Sequence, residues 1–148
     1  MSGIQIRRAA RGDLPSILRI ERVSFTVDAW DAEIFRAYLE DCPELFFVAT
    51  NGTTVAGYAI ACIDGRGADL DSIAVHPRYR HHGVATALLQ RTIASLRRRR
   101  VPVCRLVVRR TNRTAIALYR RFGFARTTTI PHYYPDGESG WRMRRRIA

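Results

Sequence analysis

The stretch Arg80-His81-His82-Gly83-Val84-Ala85 indicates the fold, because it separates an extended apolar run from a helical one. Residues 70–75 before it favour a strand, and the apolar spacing over residues 85–96 favours a helix. A helix start leaves backbone N–H groups without partners and carries roughly half a positive charge. Since Gly83 lets the backbone approach a ligand closely, this order of elements predicts a cradle for a pyrophosphate group, with the Arg80 guanidinium beside it.

Length and composition favour one globular domain spanning residues 1–148. A chain of 148 residues with 47% hydrophobic and 26% charged side chains has enough apolar surface for a single core. No apolar run approaches the roughly 20 residues needed to cross a bilayer, and residues 1–5 lack the apolar core of a signal peptide. We therefore expect a cytoplasmic protein with no membrane partner.

The formal net charge of +12 comes from 25 basic residues, all of them arginine. Such an excess suits a polyanionic ligand such as coenzyme A, or an acidic or RNA-rich partner, and it disfavours polyamines and other polycations as substrates. Two arginine runs, residues 97–100 and 144–146, are either solvated charge or a docking surface for an RNA-rich or acidic partner such as a ribosome.

The three cysteines, Cys42, Cys62 and Cys104, are odd in number, widely spaced and close to apolar residues. This pattern favours reduced, mostly buried thiols over a disulfide framework or a zinc site. The four histidines lack metal-ligand spacing as well, so we expect no metal.

The chain alternates strand and helix patterns in the order β-α-α-β-β-β-α-β-α-β-β. Asp13 stands at the N-cap position of the first helix, the second helix starts at Asp31, and Asn51-Gly52 marks a hairpin turn. The order predicts an α/β (α+β) fold with flanking helices and a mixed, mostly antiparallel central sheet of about seven strands. The predicted strands are residues 4–8, 45–49, 55–63, 69–75, 101–108, 124–130 and 140–147, and the later helices are residues 83–99 and 112–122.

A second motif lies in the later half of the chain: Asn112, Ala115-Ile116, Leu118-Tyr119 and Phe122-Gly123-Phe124. By itself it describes an amphipathic helix with a glycine stop. Taken with the turn at residues 80–85, in this order and at this distance, it is similar to the coenzyme-binding motifs of the GNAT-type N-acetyltransferases. The resemblance covers nearly the whole chain and implies the GNAT-type fold.

The resemblance also implies that acetyl-CoA is the co-substrate and that two parts of the chain hold it. The backbone of Ile73, Ala74 and Val75 would pair with the pantetheine arm, and Asn112 would orient the nearby strand–helix junction. The implied pyrophosphate-binding residues are Arg80, His81, His82, Gly83, Val84, Ala85 and Thr86.

Tyr119 is the proton donor that the resemblance implies, standing beside the thioester sulfur. An amine that attacks a thioester forms an oxyanion, which a backbone N–H near Ile73 would stabilise. The leaving thiolate then needs a proton, which a nearby phenol can supply. The alternative for Tyr119 is a packed aromatic ring with a solvated hydroxyl.

The tail over residues 132–143 resembles the branch of this family that acetylates protein N-termini, including the ribosomal-protein alanine N-acetyltransferases. Paired tyrosines line the peptide slot in that branch, which implies this role for Tyr133 and Tyr134. The segment from Phe25 to Phe35 resembles the substrate loop of the same branch, which implies a similar role for Trp30. The alternative for the tyrosine pair is a strand edge followed by a Pro-Asp-Gly turn.

One position departs from that branch, because Val107 stands where many members carry a glutamate or histidine as general base. An α-amino group with a pKa near 7.7–8.0 is roughly a fifth to a third neutral near pH 7.4, whereas a lysine amine is about 0.1% neutral. Loss of the usual base therefore costs an α-amine substrate little and a lysine substrate about a hundredfold, which favours N-terminal acetylation.

Three residues could replace the missing base, namely Asp69, Asp71 and His132. The alternative for each of them is a solvated residue at the edge of the sheet. The two aspartates lie two apart on a predicted strand and therefore on one face. The sequence thus predicts direct acetyl transfer from acetyl-CoA to the N-terminal α-amine of a protein or peptide, such as a ribosomal protein. Two alternatives remain open, namely a small-molecule amine as acceptor, or an acyl-CoA-binding or RNA-binding module that has lost catalysis.

Overall fold

The structure, a computed structural model, describes residues 3–25 and 28–147. Its order of strands and helices confirms the predicted one. Within the described ranges, no helix has the length and apolar character that a membrane span requires. The elements are β1 (Ile4–Arg8), α1 (Leu14–Ser24), α2 (Ala32–Asp41), β2 (Phe46–Asn51), β3 (Thr54–Asp64), β4 (Gly67–Val75), α3 (Val84–Arg98), β5 (Val103–Arg109), α4 (Arg113–Arg121), β6 (Ala125–Ile130) and β7 (Gly140–Arg146).

In the described part of the chain, the strands form a seven-stranded sheet in the order β1-β2-β3-β4-β5-β7-β6. The pairs β1–β2, β2–β3, β5–β7 and β6–β7 are antiparallel, whereas β4 and β5 are parallel. Parallel neighbours need a long crossover connection, which contains α3. Gly52 adopts a φ of +62° between β2 and β3, at the hairpin that Asn51-Gly52 predicts. The structure therefore confirms the mixed, mostly antiparallel sheet.

The chain divides into two compact units, Met1–Cys62 with Leu70–Ser95 and Ile63–Asp69 with Leu96–Ala148. Full burial of one aliphatic or aromatic side chain contributes about 1.5–3 kcal/mol to the free energy of unfolding. Each unit contains a set of such side chains. The core of the first unit contains Leu14, Ile17, Ile20, Phe35, Phe46, Val48, Val55, Tyr58, Ile60 and Ala74. Buried side chains of the second unit include Val103, Leu106, Val108, Ile116, Leu118, Phe124, Met143 and Ile147.

The expectation of three reduced thiols is wrong for two of the cysteines. Cys42, directly after α2, and Cys62, in β3, form a disulfide with their Cα atoms 5.5 Å apart. The two cysteines are 20 positions apart along the chain, so the fold brings them together. Cys104 is a buried thiol outside any disulfide, as the sequence predicts. The disulfide therefore ties the end of α2 to β3.

Candidate functional site

The turn at residues 80–85 has a backbone shape suited to anion binding. Gly83 adopts a φ of +78°, and a Cβ there would meet no atom within 4 Å, so backbone conformation rather than crowding favours glycine. Helix α3 begins at the buried Val84, and the Ala87 N–H donates to the Gly83 carbonyl at 3.0 Å. Because the first N–H groups of a helix have no acceptor within it, residues 84–86 present donors at the turn.

The side chains around this turn are open to solvent. The Arg80 Nε donates to the Val75 carbonyl at 3.4 Å, which holds the start of the turn against the end of β4. His81 shares the left-handed backbone region with Gly83, with a φ of +65°. The exposed or partly exposed site candidates are Arg80, His81, His82, Ala85 and Thr86.

Strand β4, which precedes the turn, packs closely at Ala74 because position 57 is glycine. A Cβ on Gly57 would lie 2.8 Å from the Ala74 carbonyl oxygen and 3.2 Å from Val84 Cγ1, too close for an ordinary side chain. Ala74 is buried, whereas Ile73 and Val75 are partly buried on the other face of the strand. Gly57 thereby sets the position of the strand segment whose backbone the coenzyme would contact.

Glu21 is a buried carboxylate that the sequence analysis missed. The side chain of this α1 residue is 2% exposed and accepts hydrogen bonds from the Tyr58 hydroxyl and from the Trp30 backbone N–H, the latter at 3.0 Å. The Tyr58 hydroxyl also lies 3.1 Å from Ser72 Oγ. Burial raises the pKa of Glu21, although both hydrogen bonds favour its charged form. The sequence signal for this burial is the position of Glu21 four residues after Ile17, which places a charged residue on the apolar stripe of α1.

Trp30, the predicted substrate-loop residue, is also held by aromatic contacts. Its ring stacks on Tyr38 with the centroids 5.3 Å apart, and it lies 5.6 Å from the Phe35 ring. The Tyr38 hydroxyl donates to Asp71 Oδ2 at 2.9 Å. The structure therefore joins Trp30 and the candidate base Asp71 through Tyr38. Residues 26 and 27 of the predicted substrate loop lie outside the described residues.

The other two candidate bases are engaged by different partners. Arg105 Nε lies 2.9 Å from Asp69 Oδ1 in an ion pair. His132 is exposed, and its Nδ1 lies 3.2 Å from the Gly137 carbonyl oxygen. Asp69 is thus paired with a guanidinium and His132 contacts a turn carbonyl, whereas Asp71 accepts a hydrogen bond from the Tyr38 hydroxyl.

Tyr119 lies near the C-terminal end of α4 with 7% of its surface exposed. Its ring packs against Phe124 with the centroids 5.8 Å apart. Burial raises the pKa of the Tyr119 hydroxyl, and the neighbouring Tyr134 and Cys104 raise it further. The hydroxyl therefore stays protonated at neutral pH, which is the form that a proton donor needs.

Val107 lies within β5, and Asn112 lies in the short connection between β5 and α4. Asn112 caps α4, because its Oδ1 accepts from the Ala115 N–H at 3.2 Å. Val107 is partly buried, and a Cβ added to Gly140 in β7 would lie 2.8 Å from Val107 Cγ1 and 3.4 Å from Tyr133 Cβ. Glycine at position 140 therefore lets Tyr133 lie close to the Val107 position.

The tyrosine pair lies in the connection between β6 and β7. The Tyr133 and Tyr134 rings meet edge to face with their centroids 4.9 Å apart. The Arg109 guanidinium lies 4.1 Å above the Tyr134 ring and forms an ion pair with Asp136 at 3.0 Å. Arg109 therefore connects the tyrosine pair to the turn that follows it, which fixes the orientation of Tyr134.

Within the described ranges, no group of His, Cys, Asp or Glu side chains has the arrangement of a metal site.

The predicted site residues are divided between the two units. The first unit contains Trp30, Asp71, Ile73, Ala74, Val75 and the turn residues, and the second contains Asn112, Tyr119, His132, Tyr133 and Tyr134.

Known proteins resemble this chain in sequence and in structure. Residues 14–124 match the Acetyltransferase (GNAT) family. An N-alpha-acetyltransferase from Sulfolobus acidocaldarius is 32% identical, over 94% of this chain and 90% of its own length. The [Ribosomal protein bS18]-alanine N-acetyltransferase of Escherichia coli is 35% identical, over 83% of this chain and 82% of its own length. The crystal structure of Ard1 from Thermoplasma volcanium has a TM-score of 0.95 at 28% identity and covers 99% of both chains.

Proposed function

Because the chain belongs to the GNAT acetyltransferase family and is therefore an N-acetyltransferase, we propose that it acetylates the N-terminal α-amine of a protein or peptide. Two relatives are named for this activity, the N-alpha-acetyltransferase and the bS18-alanine N-acetyltransferase. The structural observation that carries the proposal is the aliphatic Val107 with Tyr133 beside it. Because valine at position 107 cannot take a proton, the rate depends strongly on the neutral fraction of the amine, which near pH 7.4 is at least a hundredfold smaller for a lysine amine than for an α-amine.

Acetyl-CoA is the proposed acetyl donor, and the turn at residues 80–85 supports it. The first N–H groups of α3 and the exposed Arg80 suit a pyrophosphate, since both favour negative charge at one point. The backbone groups of Ile73 and Val75 lie at the end of β4, a few residues before this turn, and would pair with the pantetheine arm. Acetyl-CoA supplies the activated thioester, and the protein supplies its position.

Tyr119 is the proposed general acid. Attack by the amine on the thioester carbonyl expels a thiolate, which takes a proton from the Tyr119 hydroxyl as its charge develops. Burial raises the pKa of that hydroxyl, so the Tyr119 side chain carries its proton throughout the neutral pH range. A backbone N–H near Ile73 would stabilise the oxyanion that precedes this step.

Asp71 is the proposed acceptor of the amine proton, which predicts a pH-dependent effect of Asp71→Asn. Without the carboxylate, the rate follows the neutral fraction of the amine, which falls tenfold per pH unit below a pKa of about 8. We expect kcat/KM of the wild type to exceed that of Asp71→Asn by about tenfold or more at pH 6.5, and the ratio to approach one at pH 9. The measurement is kcat/KM for one N-terminal peptide across this pH range.

Asp69→Asn is the matched control for this experiment. Asp69→Asn removes a carboxylate from the same strand and breaks the ion pair with Arg105. Because this carboxylate is not the proposed base, the ratio of kcat/KM between the wild type and Asp69→Asn should not change with pH. A ratio for Asp71→Asn that is constant from pH 6.5 to 9 would remove Asp71 as the base.

Turnover of three acceptor classes with acetyl-CoA tests the proposed function. We expect kcat/KM for a peptide with an open N-terminus to exceed that of an N-terminally blocked, lysine-containing peptide by about 100-fold. Turnover of small amines without turnover of any peptide would contradict the proposal and assign a small-molecule acceptor. Coenzyme binding without turnover of any acceptor would contradict it as well.

A further inference from the structure

The net charge of the chain resides in one of its two units. The first unit carries nine arginines and nine acidic residues, so its formal charge is zero. The second unit carries sixteen arginines against four acidic residues, which accounts for the whole formal charge of +12. A surface with this excess of positive charge attracts anions.

Part of this charge forms an ordered row on β7, which we call the arginine face and define as Arg142, Arg144 and Arg146. These residues alternate along one strand and therefore point to the same side of the sheet. All three side chains are exposed. Among the described residues, none of the three side chains donates a hydrogen bond or joins an ion pair. The row spans about 14 Å along the strand.

A further arginine on the neighbouring strand adds to the positive charge beside the arginine face. Arg105 in β5 lies directly opposite Arg144, an arrangement of like charges that destabilises a sheet unless an anion offsets it. Asp69 offsets Arg105 through the 2.9 Å ion pair, but the described residues provide no such carboxylate for the arginine face. Its surface is therefore positioned to take carboxylates from a partner.

The proposed peptide slot leads onto this face. Val107 lies directly opposite Arg142 in the β5–β7 pairing, and Tyr133 lies beside both Val107 and Gly140. A strand of substrate rises about 3.3–3.6 Å per residue, so about four residues would cover the row. A peptide whose amine-bearing end lies at the tyrosine pair would therefore place the following residues on the arginine face.

We propose that the arginine face selects acceptor peptides with acidic side chains at about positions three to six, an inference that rests on the proposed N-terminal acetylation. Carboxylates at these positions would pair with the exposed guanidinium groups, whereas lysine or arginine at them would be repelled. The arginines act on peptide binding and do not touch the reacting atoms.

An acidic peptide fits this face better than a single-stranded nucleic acid does. Bases bind such surfaces by stacking on aromatic side chains as well as by phosphate contacts. None of the residues paired with the arginine face across the neighbouring strands is aromatic; they are Val103, Arg105, Val107, Ala125 and Thr128. Trp141 alternates to the opposite side of β7, where the Arg126 and Arg120 guanidinium groups lie 4.7 and 5.8 Å from its ring centroid.

Three peptides with the same first two residues test the proposal, carrying aspartate, asparagine or lysine at positions three to six. We expect kcat/KM to be about 30-fold higher for the aspartate peptide than for the lysine peptide at 50 mM salt, mainly through KM. At 500 mM salt the preference should shrink to about threefold or less, because exposed charges are screened. The double variant R142Q/R144Q should reduce the low-salt preference to about threefold as well.

The double variant R99Q/R121Q is the matched control. It removes two exposed arginines of the same unit that lie outside the arginine face, and it should keep the wild-type preference. Equal kcat/KM for all three peptides, or equal loss of preference in both double variants, would overturn the proposal. Binding of an oligouridylate that R142Q/R144Q abolishes, with the peptide preference unchanged, would assign the face to RNA and also overturn it. No turnover of any peptide would refute the proposed function and this inference together.

Discussion

Replacing Tyr119 with phenylalanine is expected to lower kcat by about 10²–10³-fold while leaving KM for acetyl-CoA within about twofold. The substitution keeps the ring that packs against Phe124 and removes only the hydroxyl, so the fold is retained. Without that hydroxyl the leaving thiolate must take its proton from water, which raises the barrier for collapse of the intermediate. Steady-state kinetics at saturating peptide measure the effect.

Tyr79→Phe is the control for this prediction. Tyr79 is partly buried, and its hydroxyl makes one long contact of 3.4 Å with Asn51 Nδ2. Loss of this hydroxyl should leave kcat within about twofold of the wild type. A Tyr119→Phe variant that keeps more than a third of the wild-type kcat would show that Tyr119 is a packed aromatic residue and not the acid.

Replacing Glu21 with alanine is expected to lower the free energy of unfolding by about 3 kcal/mol. The change leaves the buried Tyr58 hydroxyl and the Trp30 N–H without their acceptor and opens a cavity in α1. Tyr58→Phe, which removes one hydroxyl and keeps the carboxylate, should cost about 1 kcal/mol. Urea denaturation of the three proteins measures both values, and a loss below 1 kcal/mol for Glu21→Ala would contradict the account.

The raised pKa of Glu21 makes the free energy of unfolding depend on pH, and comparison of the wild type with Glu21→Gln measures this dependence. A folded-state pKa above 4.5 means that the folded protein holds this proton more tightly than the unfolded chain does. The contribution of this tighter proton binding to the free energy of unfolding is fully present below pH 4.5, and it is lost as the pH rises through the folded-state pKa of Glu21. The wild type should therefore lose stability relative to Glu21→Gln above pH 4.5.

The order of elements and the coenzyme motifs could be predicted because their signals are local. The turn at Gly83 needs a positive φ, and the cap at Asn112 needs a side-chain acceptor three residues before Ala115. Both requirements restrict residue type at one position. The family comparison confirms the interpretation that these two motifs support together.

Contacts between distant segments could not be predicted in the same way. The Cys42–Cys62 disulfide depends on where α2 ends relative to β3, which no short pattern records. Asp13 precedes α1 as predicted, yet its carboxylate accepts from Arg7 in β1 at 2.8 Å instead of capping the helix. In both cases the partner is chosen by tertiary packing, which overrides the local preference.

A single peptide that carries both an open N-terminus and an internal lysine distinguishes acetylation of an α-amine from acetylation of a side chain. Incubation with the protein and acetyl-CoA, followed by mass-spectrometric localisation of the acetyl group, compares the two amines under identical conditions. We expect acetylation of the α-amine over the lysine side chain by about 100 to 1 near pH 7.4. Equal acetylation of both amines, or acetylation of the lysine alone, would contradict it.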